Sequence, residues 1–290
     1  MPPEIYLNVA VSGLLTGLIY GLSALGLSVI FGVIRIVNFA HGEMMVVGMF
    51  LTLVIFRRLG IDPLLAIPIV AAILFAFGYV LQDWVVRRVA HLPDHMQFLL
   101  MAAISVILVS ACLMIFGPDA QGARVGYAYD SFQIGPLLVD KVRLYAGFAA
   151  LVVAGALFAF FRYTATGRAI RACGDNYMGA LVVGLNVRRL YALTFGIGTA
   201  CLGAAGAILL LLIDVHPYLG PPFTLLAFII VIVGGMGSLP GAMLGGILIG
   251  TSEALAGIVL QPSLKTAFSF ALLVLVLLFR PQGLLGKAAR

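Results

Sequence analysis

Apolar stretches recur along this chain from one end to the other, at 7–33, 42–56, 63–80, 98–116, 144–161, 190–213, 223–236, 241–260 and 264–279, with short polar intervals between them. A run of about 18 apolar residues crosses a hydrocarbon core of roughly 30 Å as a helix. The pattern therefore predicts an all-α fold, a polytopic transmembrane helical bundle of eight or nine segments, organised as a single domain over 1–290. Composition agrees: 63% of the 290 residues are hydrophobic and 10% are charged, against about 25% charged in a soluble domain. No interval is long enough to hold a separate soluble domain. Two segments are short; if 42–56 or 223–236 enters the membrane and returns, the count falls to eight and one terminus changes side.

The formal charge of +6 raises the question of nucleic acid. The basic residues are dispersed among short loops and form no stripe or face, so nucleic acid is excluded and the charge is read as membrane anchoring. If the interval 162–189 faces the cytoplasm, eleven of the 17 Lys and Arg residues lie inside and six outside. Arg57 and Arg58 are the clearest exceptions. The N-terminus then lies outside and the C-terminus inside. Residues 1–6 carry Glu4 and no basic residue, so the first segment reads as a retained span rather than a cleaved signal. Residues 117–143, rich in Gly, Pro, Asp and Tyr, form an external loop. Cys112, Cys173 and Cys201 are too dispersed for a disulfide or metal framework. His91 and His95 have the spacing of a metal pair, but they flank Pro93 and no third ligand is near; a solvated loop is the simpler reading.

Two regions share a pattern of apolar run, Gly-rich or polar break, and small-residue helix: 27–43 and 232–246. Paired interruptions point to a transport path built from an internal repeat, because backbone groups freed by a broken helix must face protein or water. The first break holds the densest polar cluster in an apolar setting, Arg35, Asn38, His41 and Glu43, with Gly42 between the last two. Ionisable groups near a membrane are costly unless paired or solvated, which makes them functional candidates. Arg35 and Glu43 either pair or line a cytoplasmic turn. A hydrolase would need a nucleophile, and no Ser or Cys lies close in sequence. The second break is Gly234, Gly235, Gly237, Ser238, Pro240 and Gly241. Glu253 is the most isolated intramembrane carboxylate; it either borders the path and bonds its helices, or snorkels to water from a helix end. Gly13, Gly17 and Gly21 form consecutive i, i+4 steps that allow close helix packing in lipid.

The interval 166–187 contains a short amphipathic helix, with Ala180 and Leu181 before a stop at Gly184, bracketed by basic residues. Such an apolar stripe calls for a partner protein at the membrane face. Three strings, 32–43, 167–172 followed by Asp175 and Gly184-Leu185, and 234–242, resemble the permease subunits of branched-chain amino acid ABC importers, the hydrophobic amino acid uptake family, and specifically the shorter of its two sister permeases. The resemblance spans nearly the whole chain. It implies a multi-pass bacterial inner-membrane permease working by alternating access with a homologous second permease, two cytoplasmic ATP-binding subunits and a periplasmic substrate-binding protein. It also implies that Gly167, Arg168, Ala169, Arg171, Asp175, Ala180 and Gly184 belong to the loop that docks on the ATPase. Asn176, Tyr177, Met178 and Gly179 depart from the acidic residues and alanines usual there. No phosphate-binding G-x-x-x-x-G-K-[ST] loop is present, so no cofactor is expected here and ATP is used by the partners. Related systems carry branched-chain amino acids, urea, amides or aromatic acids. A stand-alone channel or secondary transporter is the rival reading, weakened by the scarcity of charge for ion coupling.

Overall fold

A computed structural model describes residues 3–90, 92–128, 130–134, 137–259 and 265–286; His91, half of the candidate metal pair, lies outside them. The first helix, α1 (Pro3–Ile34), is followed by α2 (His41–Leu59) and α3 (Pro63–Leu81). α3 continues through a π-helical turn, Gln82–Val86, into a short α4 (Arg87–Val89). Then come α5 (Asp94–Phe116), strands β1 (Ser131–Ile134) and β2 (Leu137–Asp140), and α6 (Lys141–Tyr163). The second half holds α7 (Ala165–Asp175), α8 (Tyr177–Val182), α9 (Val187–Leu209), α10 (Gly220–Gly234), α11 (Leu239–Val259) and α12 (Lys265–Phe279). Among the described residues, seven helices are long and apolar enough to cross a membrane, and Ala267–Phe279 adds a shorter apolar one. α2 has 19 residues but carries Glu43, Arg57 and Arg58.

The centre of the bundle is built by helices that lack side chains where they touch. Along α1, Gly13, Gly17 and Gly21 lie against Gly250 and Ala254, Gly246 and Ile247, and Met243 of α11 in turn. A methyl group on Gly17 would stand 2.7 Å from the carbonyl oxygen of Gly246, closer than packed atoms allow. α9 crosses the opposite side of α1 where Gly26 meets Gly198, and α2 crosses α9 where Gly48 meets Gly203. Without a hydrophobic drive between helices in lipid, such backbone approach supplies the contact. The most apolar window of α1 is 72% buried and that of α9 83%, against 17% for α5. α1 and α9 are therefore the core, while α3, α5 and α6 turn side chains such as Leu65, Val106, Ile107 and Phe148 outward.

The loops segregate to two ends. At one, Arg57 donates to Gln121 (2.6 Å), Gln121 bridges Val215, and the Asn8 side chain accepts from the backbone of Leu138 (2.9 Å). There Asp62 caps α3 through Leu64 N–H at the start Asp62-Pro63, a favoured cap with Pro at the first helical position. It also accepts from the Tyr127 hydroxyl (2.8 Å). Burial, and then this bond to a carboxylate, hold that phenol above its ordinary range. At the other end Arg188 forks onto Asp83 (2.7 and 2.8 Å). The division matches the grouping of basic residues expected from the sequence. One element departs from the all-α expectation: β1 and β2 pair antiparallel, Ser131 opposite Asp140, inside the 117–143 loop. Four-residue strands leave too short a pattern to stand out from a loop.

Candidate functional site

α1 serves as a ruler for the candidate residues. Ala254, next to Glu253, lies against Gly13; the His41 ring reaches the backbone of Ser23; Gly237 lies against Gly32. At 1.5 Å per residue these levels are about 15 and 13 Å apart. The sequence-predicted pathway residues are thus one set in the amino-acid chain and three sites in space.

The middle site contains Asn38, His41, Gly42 and Glu43. The end of α1 lies eleven residues beyond Ser23, about 16 Å, so α2 begins well inside the bundle. Residues 35–40 make this return as non-helical chain, and six residues in extended form span about 20 Å. Arg35, at φ 61°, is the one described non-glycine residue in the left-handed region and turns the chain there. The Asn38 side chain accepts from Ala40 N–H (3.1 Å) and stabilises the turn into α2. His41 is fully buried, with Nε2 3.2 Å from the Ser23 carbonyl; a carbonyl only accepts, so that nitrogen carries the proton.

Glu43 is 3% exposed. Its carboxylate accepts from the Ser105 hydroxyl (2.7 Å) and the Thr224 hydroxyl (3.2 Å), while Thr224 Oγ1 accepts from Gly42 N–H (2.8 Å). Ser105 is the twelfth of the 23 residues of α5, which puts the carboxylate near mid-depth of that span. α10 begins here too: a methyl on Gly42 would collide with the Gly220 carbonyl. Two helices therefore start at one buried carboxylate inside the membrane. Both alternatives read for Glu43 give way. It forms no ion pair with Arg35 among the described residues and does not line an end turn, because the chain climbs away from Arg35 before α2 starts.

The lower site lies at the basic end. The break at 234–241 is a tight turn between α10 and α11, with Gly235 at φ 104° and Gly237 at φ 78°. Backbone N–H groups of Leu284 and Leu285 donate to Val233 and Gly234 (2.8 and 3.0 Å) and bind the C-terminal segment to this turn. Gly32, Arg35, Arg168, Arg171, Asp175, Ser238 and Pro240 line a cavity of about 1490 Å³. A methyl group on Gly174 would stand 2.9 Å from the Gly32 carbonyl, and one on Gly32 would stand 3.1 Å from Gly237. The predicted coupling segment and the second break thus meet across the end of α1.

That segment is two helices. Thr164 caps α7 at Gly167 N–H (2.9 Å) and Asn176 caps α8 at Gly179 N–H (2.8 Å). α8 ends as Leu185 N–H bonds the Ala180 carbonyl and Gly184 N–H bonds that of Leu181 (3.0 Å each), with Gly184 at φ 81°. This double closure is the Schellman arrangement. Ala169 is half-buried and Gly167 buried on α7. Tyr177, Met178, Val182 and Val183 are exposed, Val182 by 85%.

The upper site is Glu253, whose carboxylate accepts from Ser269 of α12 (3.2 Å). Among the described residues no group of three His, Cys, Asp or Glu could hold a metal. Sequence reasoning missed Ser23, Ser105 and Thr224. Thr224 left a signal, as the one polar side chain in α10; Ser105 and Ser23 left none that separates them from ordinary membrane serines.

The comparisons agree with this architecture. The model of the family described as branched-chain amino acid transport system, permease component, matches residues 9–277. The chain is 36% identical to the high-affinity branched-chain amino acid transport system permease protein LivH of Escherichia coli K12, over 97% of this chain and 96% of that one. It is 32% identical to the corresponding protein BraD of Pseudomonas aeruginosa, over 98% of each, and 25% identical to a probable LivH of Methanocaldococcus jannaschii. No solved structure matches it. With the family model covering nearly the whole helical bundle, the chain belongs to the branched-chain amino acid transport permease family and is a multi-pass membrane permease component.

Proposed function

We propose that this chain is one permease of an ATP-driven importer in the bacterial inner membrane, carrying branched-chain or related amino acids into the cytoplasm. It pairs with a homologous permease, two cytoplasmic ATP-binding subunits and a periplasmic substrate-binding protein, and needs no cofactor of its own. One observation carries this reading beyond the family: the apolar face of α8. Tyr177, Met178, Val182 and Val183 are exposed, and lie in the chain between the crossing helices α6 and α9 in an interval that also carries Arg168, Arg171, Arg188 and Arg189; we read that interval as lying in water at the membrane face. An apolar patch in water marks a protein contact. α7 reaches from there to the end of α1 and the α10–α11 turn, so a push from a docked ATPase moves the lower site directly. Hydrolysis takes place in the partners; this chain converts their motion into opening on alternate sides.

Purification under mild detergent, with mass spectrometry of the co-purifying proteins, tests the assembly. Recovery of an ATPase and a second permease is the expected result. Recovery of this chain alone, still transporting in liposomes without ATP, overturns it. Met178→Asp, which places a charge on the exposed face, is expected to lose the ATPase from the complex while leaving the chain folded.

A further inference from the structure

We infer that the Glu43 carboxylate is the point of the pathway that takes the protonated amine of the passing solute, and that Ser105 and Thr224 are positioning residues that occupy it while the bundle is closed. This rests on the reading of the chain as an amino-acid importer. Glu43 lies at mid-depth, 3% exposed, and among the described residues no side-chain nitrogen of Lys, Arg or His comes within 4.0 Å of its carboxylate oxygens. Its two recorded side-chain partners are neutral hydroxyls, one on each oxygen. A carboxylate so deep is costly unless a cation pairs with it. An ammonium brings three N–H donors, enough to replace both hydroxyls and add the missing charge.

The surroundings fit a site that opens and closes. Ser105 belongs to α5, the least buried of the long helices, which meets the core through the ring pairs Phe39–Phe98 and Phe50–Phe116 (4.4 and 4.2 Å between centroids). Thr224 belongs to α10, whose far end is the turn at the basic cavity. Gly42 lies against the Gly220 carbonyl and the Thr224 hydroxyl, and Gly220 lies against the Glu43 side chain, so the starts of α2 and α10 close directly around the carboxylate. Nδ1 of His41, in the same turn, is buried and without a hydrogen-bond partner. Beside them Tyr20, Ser23, Met45, Phe223 and Ala227 border an apolar void of about 10 Å³. That space is too small for an aliphatic side chain, so the closed bundle excludes solute, and passage requires α5 or α10 to move off the carboxylate.

Glu43→Gln separates charge from structure. The amide keeps the shape and can still bond both hydroxyls, but it cannot neutralise an ammonium. The complete complex with its binding protein is reconstituted in liposomes, and leucine uptake is measured per ATP hydrolysed. E43Q is expected to assemble normally and to lower that ratio by about 10- to 100-fold, the range set by one charge-assisted bond; Glu43→Asp is expected to retain much of it. A wild-type ratio in E43Q, with the wild-type complex importing leucine, overturns the amine site alone. Equal losses in E43Q and E43D also overturn it, since both then report packing. A wild-type complex that imports no amino acid overturns the importer reading instead.

Discussion

Thr224 does two things at once: its oxygen accepts from Gly42 N–H and its proton goes to Glu43. Valine has nearly the same shape and neither capacity, so Thr224→Val leaves a buried N–H unpaired, at a cost of about 1–3 kcal/mol. It is expected to lower uptake per ATP in reconstituted complexes, whereas Thr224→Ser, which keeps the hydroxyl, is expected to match wild type. Glycines divide by surroundings rather than by helix position. On α1, Gly17→Ala drives a methyl into the backbone of α11 and is expected to destabilise by about 1–3 kcal/mol. On α6, a methyl at Gly155 meets nothing within 4 Å, so Gly155→Ala is expected to be neutral or slightly stabilising. Thermal unfolding of the detergent-solubilised chain, with lower Tm for the first and not the second, checks the pair.

At the scale of elements, the unusual piece is α10, 15 residues long. It starts at Glu43 and ends at the turn packed on Gly32 and the C-terminal segment, so it connects the mid-membrane carboxylate to the cavity that α7 borders. Its partner in this is the α7–α8 pair, whose caps Thr164, Asn176 and Gly184 are local. Gly184→Ala places a β-carbon at φ 81° and is expected to cost about 1 kcal/mol locally. The global Tm should change little, while the ATPase dissociates from the permease more readily in a pull-down titration. The Asp83–Arg188 fork between the ends of α3 and α9 has Arg188 half exposed. An exposed pair contributes little to stability and serves to register two helix ends rather than to hold the bundle.

The whole molecule has two chemically distinct ends, which makes its orientation testable. Cys112, Cys173 and Cys201 are all buried, and burial also holds the Cys173 thiol above its ordinary range, so all three are slow to alkylate. Cysteine introduced at Arg58 is expected to react with a membrane-impermeant maleimide in intact spheroplasts. Cysteine at Tyr177 is expected to react only after permeabilisation. The reverse pattern would invert the topology and place α8 away from any cytoplasmic ATPase.

The places of the apolar helices, their approximate bounds and the segregation of charge were settled by composition along the chain, because lipid demands long apolar helices wherever the chain crosses. The stop at Gly184 was read from the sequence; the caps at Thr164 and Asn176 were not, although their bonds join residues only three apart. The depth of Glu43 was not legible. Residues 35–40 read equally well as an end turn, and only the contact of His41 with Ser23 shows that the chain climbs back before α2 begins. Nor could the sequence say that Asn38 to Glu43, Gly234 to Gly241 and Glu253 occupy three levels. The partners that define the middle level, Ser105 and Thr224, stand 62 and 181 residues from Glu43. Contacts over such distances are decided by how helices pack, which is a property of the folded bundle and not of any local run of residues.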